Sequence, residues 1–257
     1  LLSSVGVMAA TVAIVLLTGI ALGVQKEFAS QVDELGVNNL VIIPGRLQDG
    51  FNFNLGGASY FKAEDDTSLK GISGVKKTAM WTFVGGGAAA GEKRASSFLV
   101  ASTPEWFTMR SFNLREGRLM QEQDRMQPVA VIGSIASDAM FPGKSALGQK
   151  ITVNGSEFEV IGVTEDKEAE ESVLSFGSFQ NLIYLPFDLL RKRNPASQID
   201  RLLVQIDENA EPTSMIETIE GVLGKRLDES QFQVLTQKDL LKLVFKFTNI
   251  LTYLLIG

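Results

Sequence analysis

The first 24 residues, LLSSVGVMAATVAIVLLTGIALGV, carry no charged side chain. An α-helix of that length runs about 36 Å, more than the roughly 30 Å of hydrocarbon in a bilayer. Backbone polar groups in lipid must be satisfied within the segment itself, so the run predicts a transmembrane helix over 1–24. A secretory signal peptide is the competing reading, and Ala21-Leu22-Gly23 offers a cleavage-like site. The run exceeds an ordinary signal core and no basic segment precedes it, which favours the span. Gly19 and Gly23 stand one turn apart on one face, a spacing that permits close helix packing.

The apolar pattern outlasts the bilayer. Val24, Phe28, Val32 and Leu35 recur at helical spacing, while Lys26, Glu27, Asp33 and Glu34 fall off the stripe and Gly36 supplies a stop. One helix is therefore expected to leave the membrane and continue over 25–36, about 16 Å into water. At the other end Leu240, Leu243, Val244 and Phe247 make a second stripe, with Lys238, Lys242 and Lys246 off it. Residues 238–246 read as a second stalk helix, and 247–257 as the start of a second span entered from the same side. Eleven residues are too few to cross by themselves. The two stripes are expected to pack on one another; the alternative is an amphipathic terminal helix lying on the domain.

Between these ends one plan occurs twice. A strand at 38–43 leads to a helix around Glu64–Ser73 with Leu69 and Ile72, then to a strand from Val75 to Val84. A strand at 201–206 leads to a helix over Pro212–Leu227 with Ile216, Ile219 and Leu223 on one face, then to a strand at 232–236. Pro212 suits a first helical turn. Two such β-α-β units make a split ferredoxin-like layer, so the class expected is α+β. A β-rich insertion occupies about 103–198, with strands at 129–133 and 181–186 and a hairpin at 151–163. Asn154-Gly155 marks the hairpin's two-residue turn. VGGGAAAG (84–91) reads as a flexible hairpin tip between strands that end at Val84 and resume near Ala95. DGFNFNLGG (49–57) reads as a loop with phenylalanines, either a packed flap or a contact surface.

Catalytic chemistry finds little to use. The chain has neither cysteine nor histidine, which removes disulfides, thiolate nucleophiles, Ser-His-Asp and Cys-His arrangements and the ordinary zinc sites. Gly143-Lys144-Ser145 imitates the end of a phosphate-binding loop, yet the loop's first glycine is replaced by Asp138 and a hairpin follows instead of a helix. Ser73 and Lys76 form a chance S-x-x-K, TEDKEAEE (164–171) a solvated acidic loop, and Asn154-Gly155-Ser156 a sequon that the hairpin explains better. No catalytic, cofactor or metal-binding residue is expected. A net charge of −6 argues against nucleic acid as a partner.

The motif order carries a resemblance. A glycine-dotted span is followed by ELGVNNLVIIPG (34–45), NLREGR (113–118), PVAVIGSIASDAMFPGKSALGQKITVNGSEFEVIGV (128–163), LIYLPF (182–187) and FQVLTQKDLL (232–241) before a further span. Over essentially its whole length the chain resembles the permease of the MacB-type ABC transporters. The most specific part is the lead-in to the hairpin, with Gly143, Gly148, Ile151, Val153, Asn154 and Gly155.

The resemblance implies a membrane-anchored helical stalk carrying a porter-like subdomain (37–102 and 199–237) with the β-rich subdomain (103–198) inserted. It implies a homodimer of permeases in the bacterial cytoplasmic membrane, with residues about 37–237 extracytoplasmic. A cytoplasmic ABC ATPase, fused or separate, would bind ATP and magnesium and hydrolyse the nucleotide. Its closure would move the outer domain to expel or extract macrolides, peptides or lipoprotein-like cargo. Some relatives work with a periplasmic adaptor and an outer-membrane duct. Three alternatives fit the same topology: a sensor domain between two spans of a signalling receptor, a signal-anchored secreted binding protein, and a transporter-like regulator of a cell-wall hydrolase.

Overall fold

The structure, a computed structural model, describes residues 19, 38–46, 58–109, 111–165, 181–240 and 242. The chain divides into two units, Leu1–Val37 with Gln237–Gly257, and Asn38–Thr236. The fold is that of the second unit. Among the described residues no helix is long and apolar enough to cross a membrane. The two expected spans lie outside the described residues apart from Gly19, which is helical. Outside them too lie Val24, Phe28, Val32, Leu35, Leu243, Val244 and Phe247, the phenylalanine loop at 49–57, and the acidic run from 166 onward.

The two β-α-β units form the first half of the sheet. They are β1 (Asn39–Pro44), α1 (Ala63–Lys70) and β2 (Val75–Val84), then β11 (Arg201–Ile206), α5 (Pro212–Leu223) and β12 (Phe232–Leu235). The strands lie in the order β12-β1-β11-β2, each antiparallel to its neighbour. Each unit is thus split, with β11 between β1 and β2, and β1 between β11 and β12. The run NLVIIP is apolar without alternation because β1 is buried on both faces. Leu69 from α1 and Met215, Ile219 and Leu223 from α5 pack on Leu40, Ile42, Met80, Leu202, Val204, Phe232 and Val234. Each such side chain contributes about 1.5–3 kcal/mol by leaving water. Glu211 opens α5 by accepting a hydrogen bond from the Ser214 amide at 2.8 Å, with Pro212 in the first turn. The helix stops at Gly224, short of the Leu227 that the periodicity reaches. Leu227 stays buried by turning back onto the Leu223 carbonyl at 2.9 Å.

The same sheet continues without a break. Its further strands are β3 (Ala88–Ala90), β4 (Lys93–Ala95), β5 (Phe98–Ser102), β6 (Leu114–Gly117), β7 (Val129–Gly133), β8 (Lys150–Val153), β9 (Ser156–Thr164) and β10 (Leu182–Pro186). The path runs β2-β5-β10-β7-β9-β8-β3-β4, and β6 pairs with the far end of β9. The β5/β10 and β7/β9 pairs are parallel. Three short helices join them: α2 (Trp106–Met109), α3 (Ser134–Met140) and α4 (Phe187–Arg193). A second core gathers Leu99, Ile132, Met140, Ile151, Phe158, Val160, Ile183 and Leu185, together with Ala88 and Ala95. The class is α+β.

One expectation is corrected. The stretch 84–91 is not a bare hairpin tip, because Ala88–Ala90 is a strand that pairs with β4 on one side and β8 on the other. Alanine gives little strand signal in a sequence, and its small side chain is what allows Ala88 to sit buried in the second core.

Candidate functional site

The end of the sheet where the chain enters and leaves is the first place to look for function. β1 and β12 are neighbours and antiparallel, with Val41 opposite Leu235. The backbone therefore enters at Asn39 and leaves at Leu235 on adjacent strands and at the same end. That root is tied down by polar contacts. Asn39 is buried, and its Nδ2 donates to the Met109 carbonyl at 3.0 Å. Gln205 Nε2 donates to the same carbonyl at 3.4 Å, and the Ile206 amide donates to Asn38 O at 2.9 Å. Leu240 is half-buried in a short helical stretch at 237–240.

A second arrangement absorbs the motifs at 113–118 and 128–163. Gly117 and Gly162 face each other across β6 and β9. A Cβ on Gly162 would lie 2.1 Å from Arg118 O, and one on Gly117 would lie 2.3 Å from Ile161 O. Only glycine lets these backbones approach so closely. Arg118 beside this crossing grips buried Asp124 through two hydrogen bonds, of 2.5 and 2.9 Å, and Asp124 also accepts the Gln121 amide at 2.8 Å. The residues that imitate a phosphate loop are used here as well. Ser145 Oγ and the Ala146 amide donate to Glu116 at 2.5 and 3.2 Å, and Arg115 holds Asp138 at 2.8 Å.

Asn154 and Gly155 form the turn between β8 and β9, with φ of 49° and 77° as the mirror-image turns of two-residue hairpins require. The turn is latched: Asn154 Nδ2 donates to Gly85 O at 2.7 Å. Its Oδ1 lies 2.0 Å from where a Cβ on Gly86 would stand, so the glycine run accommodates the asparagine.

Buried carboxylates elsewhere are also matched. Asp66 takes Thr78 Oγ1 and Lys70, while Asp200 takes Thr82 Oγ1, the Phe83 amide and Gln198 Nε2. Among the described residues no three carboxylates gather to hold a metal ion. Arg118 holds the Asp124 carboxyl below its ordinary range by hydrogen bonding, against the opposing effect of burial. A carboxyl whose pKa is depressed by folding adds stability above the unfolded-state value and loses it as pH falls through the folded one. Acidification below the ordinary aspartate range, about pH 4, should therefore destabilise the sheet. Asp124→Asn should flatten that part of a stability-versus-pH curve measured by urea unfolding, and an unaltered acid limb would refute the assignment.

Comparison with known proteins places these features in context. The family model described as MacB-like periplasmic core domain matches residues 1–222. An uncharacterised ABC transporter permease of Methanocaldococcus jannaschii is 23% identical, over all of this chain and 62% of its own. The macrolide export ATP-binding/permease protein MacB of Vibrio parahaemolyticus is 21% identical, over 99% of this chain and 38% of its own. The chain thus spans less than two thirds of these curated relatives. Among solved structures, the periplasmic region of MacB from Actinobacillus actinomycetemcomitans matches with a TM-score of 0.70 and 20% identity, covering 85% of this chain and 98% of that one. The extracellular domain of the transporter YknZ from Gram-positive bacteria matches with a TM-score of 0.60 and 17% identity, over 77% of this chain and all of that one.

Proposed function

Because the chain belongs to the family of MacB-like periplasmic core domains, we propose that it is the outer domain and flanking stalk of an ABC transporter permease that works as a lever. A cytoplasmic ATPase, bound to ATP and magnesium, supplies the stroke. Two permease copies act together in the cytoplasmic membrane, and the domain at about 37–237 moves on its outer side to expel or extract cargo. In cells with an outer membrane a periplasmic adaptor and duct would complete the route. The porter-like layer of β12, β1, β11 and β2 with α1 and α5 is the portion that receives the stroke, and the β-rich strands that continue the sheet beyond β2 face cargo or adaptor.

The observation that carries this reading is the pairing of β1 with β12. The backbone enters and leaves the sheet on neighbouring strands and from one side, so flanking segments that moved together would act on one rigid element. A pair of ends on distant strands would twist the domain instead.

Stiffness of the stalk is the property to test. Val32 lies on the apolar stripe of 24–35, and a proline there removes a helical hydrogen bond and costs about 3 kcal/mol. In the full transporter Val32→Pro should leave ATP hydrolysis running. It should abolish export, along with the ATP-driven change in distance between spin labels placed at Lys225 of the two permease copies. Unchanged movement in a folded V32P protein would overturn the lever.

A further inference from the structure

The chain between β5 and β6 does something the sheet order does not require. After Ser102 it leaves the sheet, with the Thr103 amide on Met80 O at 3.1 Å and the Met80 amide on Thr103 Oγ1 at 3.2 Å. It then crosses β2 as α2, where Lys77 Nζ donates to Thr108 Oγ1 at 2.8 Å. It reaches the root, where Met109 O takes both Asn39 and Gln205. Residues 111–113 turn back over β10 and deliver the chain to β6 in the other half. The Glu165 amide donates to Asn113 O at 3.0 Å.

This crossing lies on the face opposite the packed helices α1 and α5. Successive strand residues point to opposite faces, and Met80 belongs to the helix-covered core while Trp81 meets Trp106, with ring centroids 6.4 Å apart. Phe107 and Phe112 stand 5.2 and 6.0 Å from Tyr184 on β10, edge to face. Edge-to-face contact is a preferred arrangement of aromatic rings and holds the segment to β10. One short segment thus touches the root on one side and the β-rich half on the other.

A single cation fixes its near end. Glu105 and Asp188 follow the carboxyl ends of the parallel strands β5 and β10, one leading into the crossing and the other lying in α4. Arg125 binds both, Asp188 at 2.8 Å, and takes Glu122 at 2.5 Å through Nε. The Arg125 side chain is half-buried, and α4 contributes Phe187 to the helix-side core. Arg125 therefore clasps the end of the sheet from both faces.

We propose that residues 103–109 and 111–113 form a strut that fixes the angle between the root half (β12-β1-β11-β2) and the β-rich half, with Arg125 as its lock. The purpose rests on the lever reading, since a stroke received at the root reaches the other half only if the sheet does not flex between β2, β5 and β10. The strut braces that junction from the face opposite α1 and α5.

The test uses the full-length permease with its ATPase in lipid nanodiscs, spin-labelled at Lys93 on β4 and Lys225 beyond α5, both exposed, with the labelled copies diluted in an excess of unlabelled ones so that only the distance within one copy is read. One narrow distance peak is expected, unmoved by ATP. Arg125→Gln should turn it into a broad distribution while amide exchange in β1, β11 and β12 stays slow, which separates a loosened junction from unfolding. Glu105→Gln combined with Asp188→Asn keeps the shapes, removes both charges and should broaden it too. A peak that stays narrow in either variant overturns the strut. Narrow peaks together with lost movement in V32P would sink the strut alone; broadening with normal movement in V32P would sink the lever alone.

Discussion

Replacing Gly162 with alanine should lower stability by about 3 kcal/mol, the upper end of the usual overpacking range. The new Cβ would stand 2.1 Å from Arg118 O and 2.9 Å from Arg118 C. Both are backbone atoms, so no side-chain rotation relieves the collision. The strand opposite cannot retreat cheaply, because the Arg118 amide donates to Ile161 O at 2.9 Å and the Arg118 side chain is committed to Asp124. In thermal unfolding the loss corresponds to a drop of about 6–12 °C for a domain of this size. Gly155→Ala is the contrast: nothing lies within 4 Å of its Cβ position, and only its φ of +77° opposes the change. That strain should cost about 1 kcal/mol. Equal losses at the two positions would show that the close approach of β6 to β9 is not what glycine serves there.

Asp65→Ala should cost a similar amount, about 2–3 kcal/mol, because it removes a first-turn acceptor together with the charge-assisted hydrogen bonds that Arg226 makes to it. The Asp65 side chain is only 5% exposed against 28% for Arg226. It accepts Arg226 Nε at 2.9 Å, a second contact from Arg226 Nη2, and the Lys62 amide at 2.7 Å. The substitution therefore removes the first-turn acceptor of α1 and the tie between the two β-α-β units in one step, since Arg226 follows α5 and also donates to Tyr60 O at 2.8 Å. Asp65→Asn, which keeps one acceptor, should recover part of the loss in urea unfolding. A cost under about 1 kcal/mol for Asp65→Ala would place this contact with ordinary surface pairs.

The strands legible in the sequence are those whose side chains alternate or run apolar, such as 129–133 and 201–206, and their bounds agree with the structure. Asn154-Gly155 is legible for a different reason, because few residue pairs tolerate two positive φ angles in succession. The neighbouring positions of β1 and β12 follow from recognising two split units. What escapes is everything made by small or distant residues. Ala88–Ala90 has no side-chain signal to read. The Gly117 and Gly162 crossing joins residues with no local pattern to link them, and Arg125 draws together Glu105 and Asp188 from separate elements. Such pairings arise from the tertiary path, to which hydrophobic periodicity is blind. The stripe Val24, Phe28, Val32 and Leu35 is the reverse case, plain in the sequence and lying outside the described residues.

The adjacency of Asn39 and Leu235 has a mechanical consequence. Ladder hydrogen bonds run across the strands, so a force applied along β1 and β12 in one direction strains many of them at once instead of peeling them singly. Between β1 and β12 themselves there is no relative sliding, and the whole load passes to the β1/β11 ladder as shear. A load shared by both strands would thus meet the domain along its least compliant axis, while a sideways tug on either strand alone would meet it along its softest.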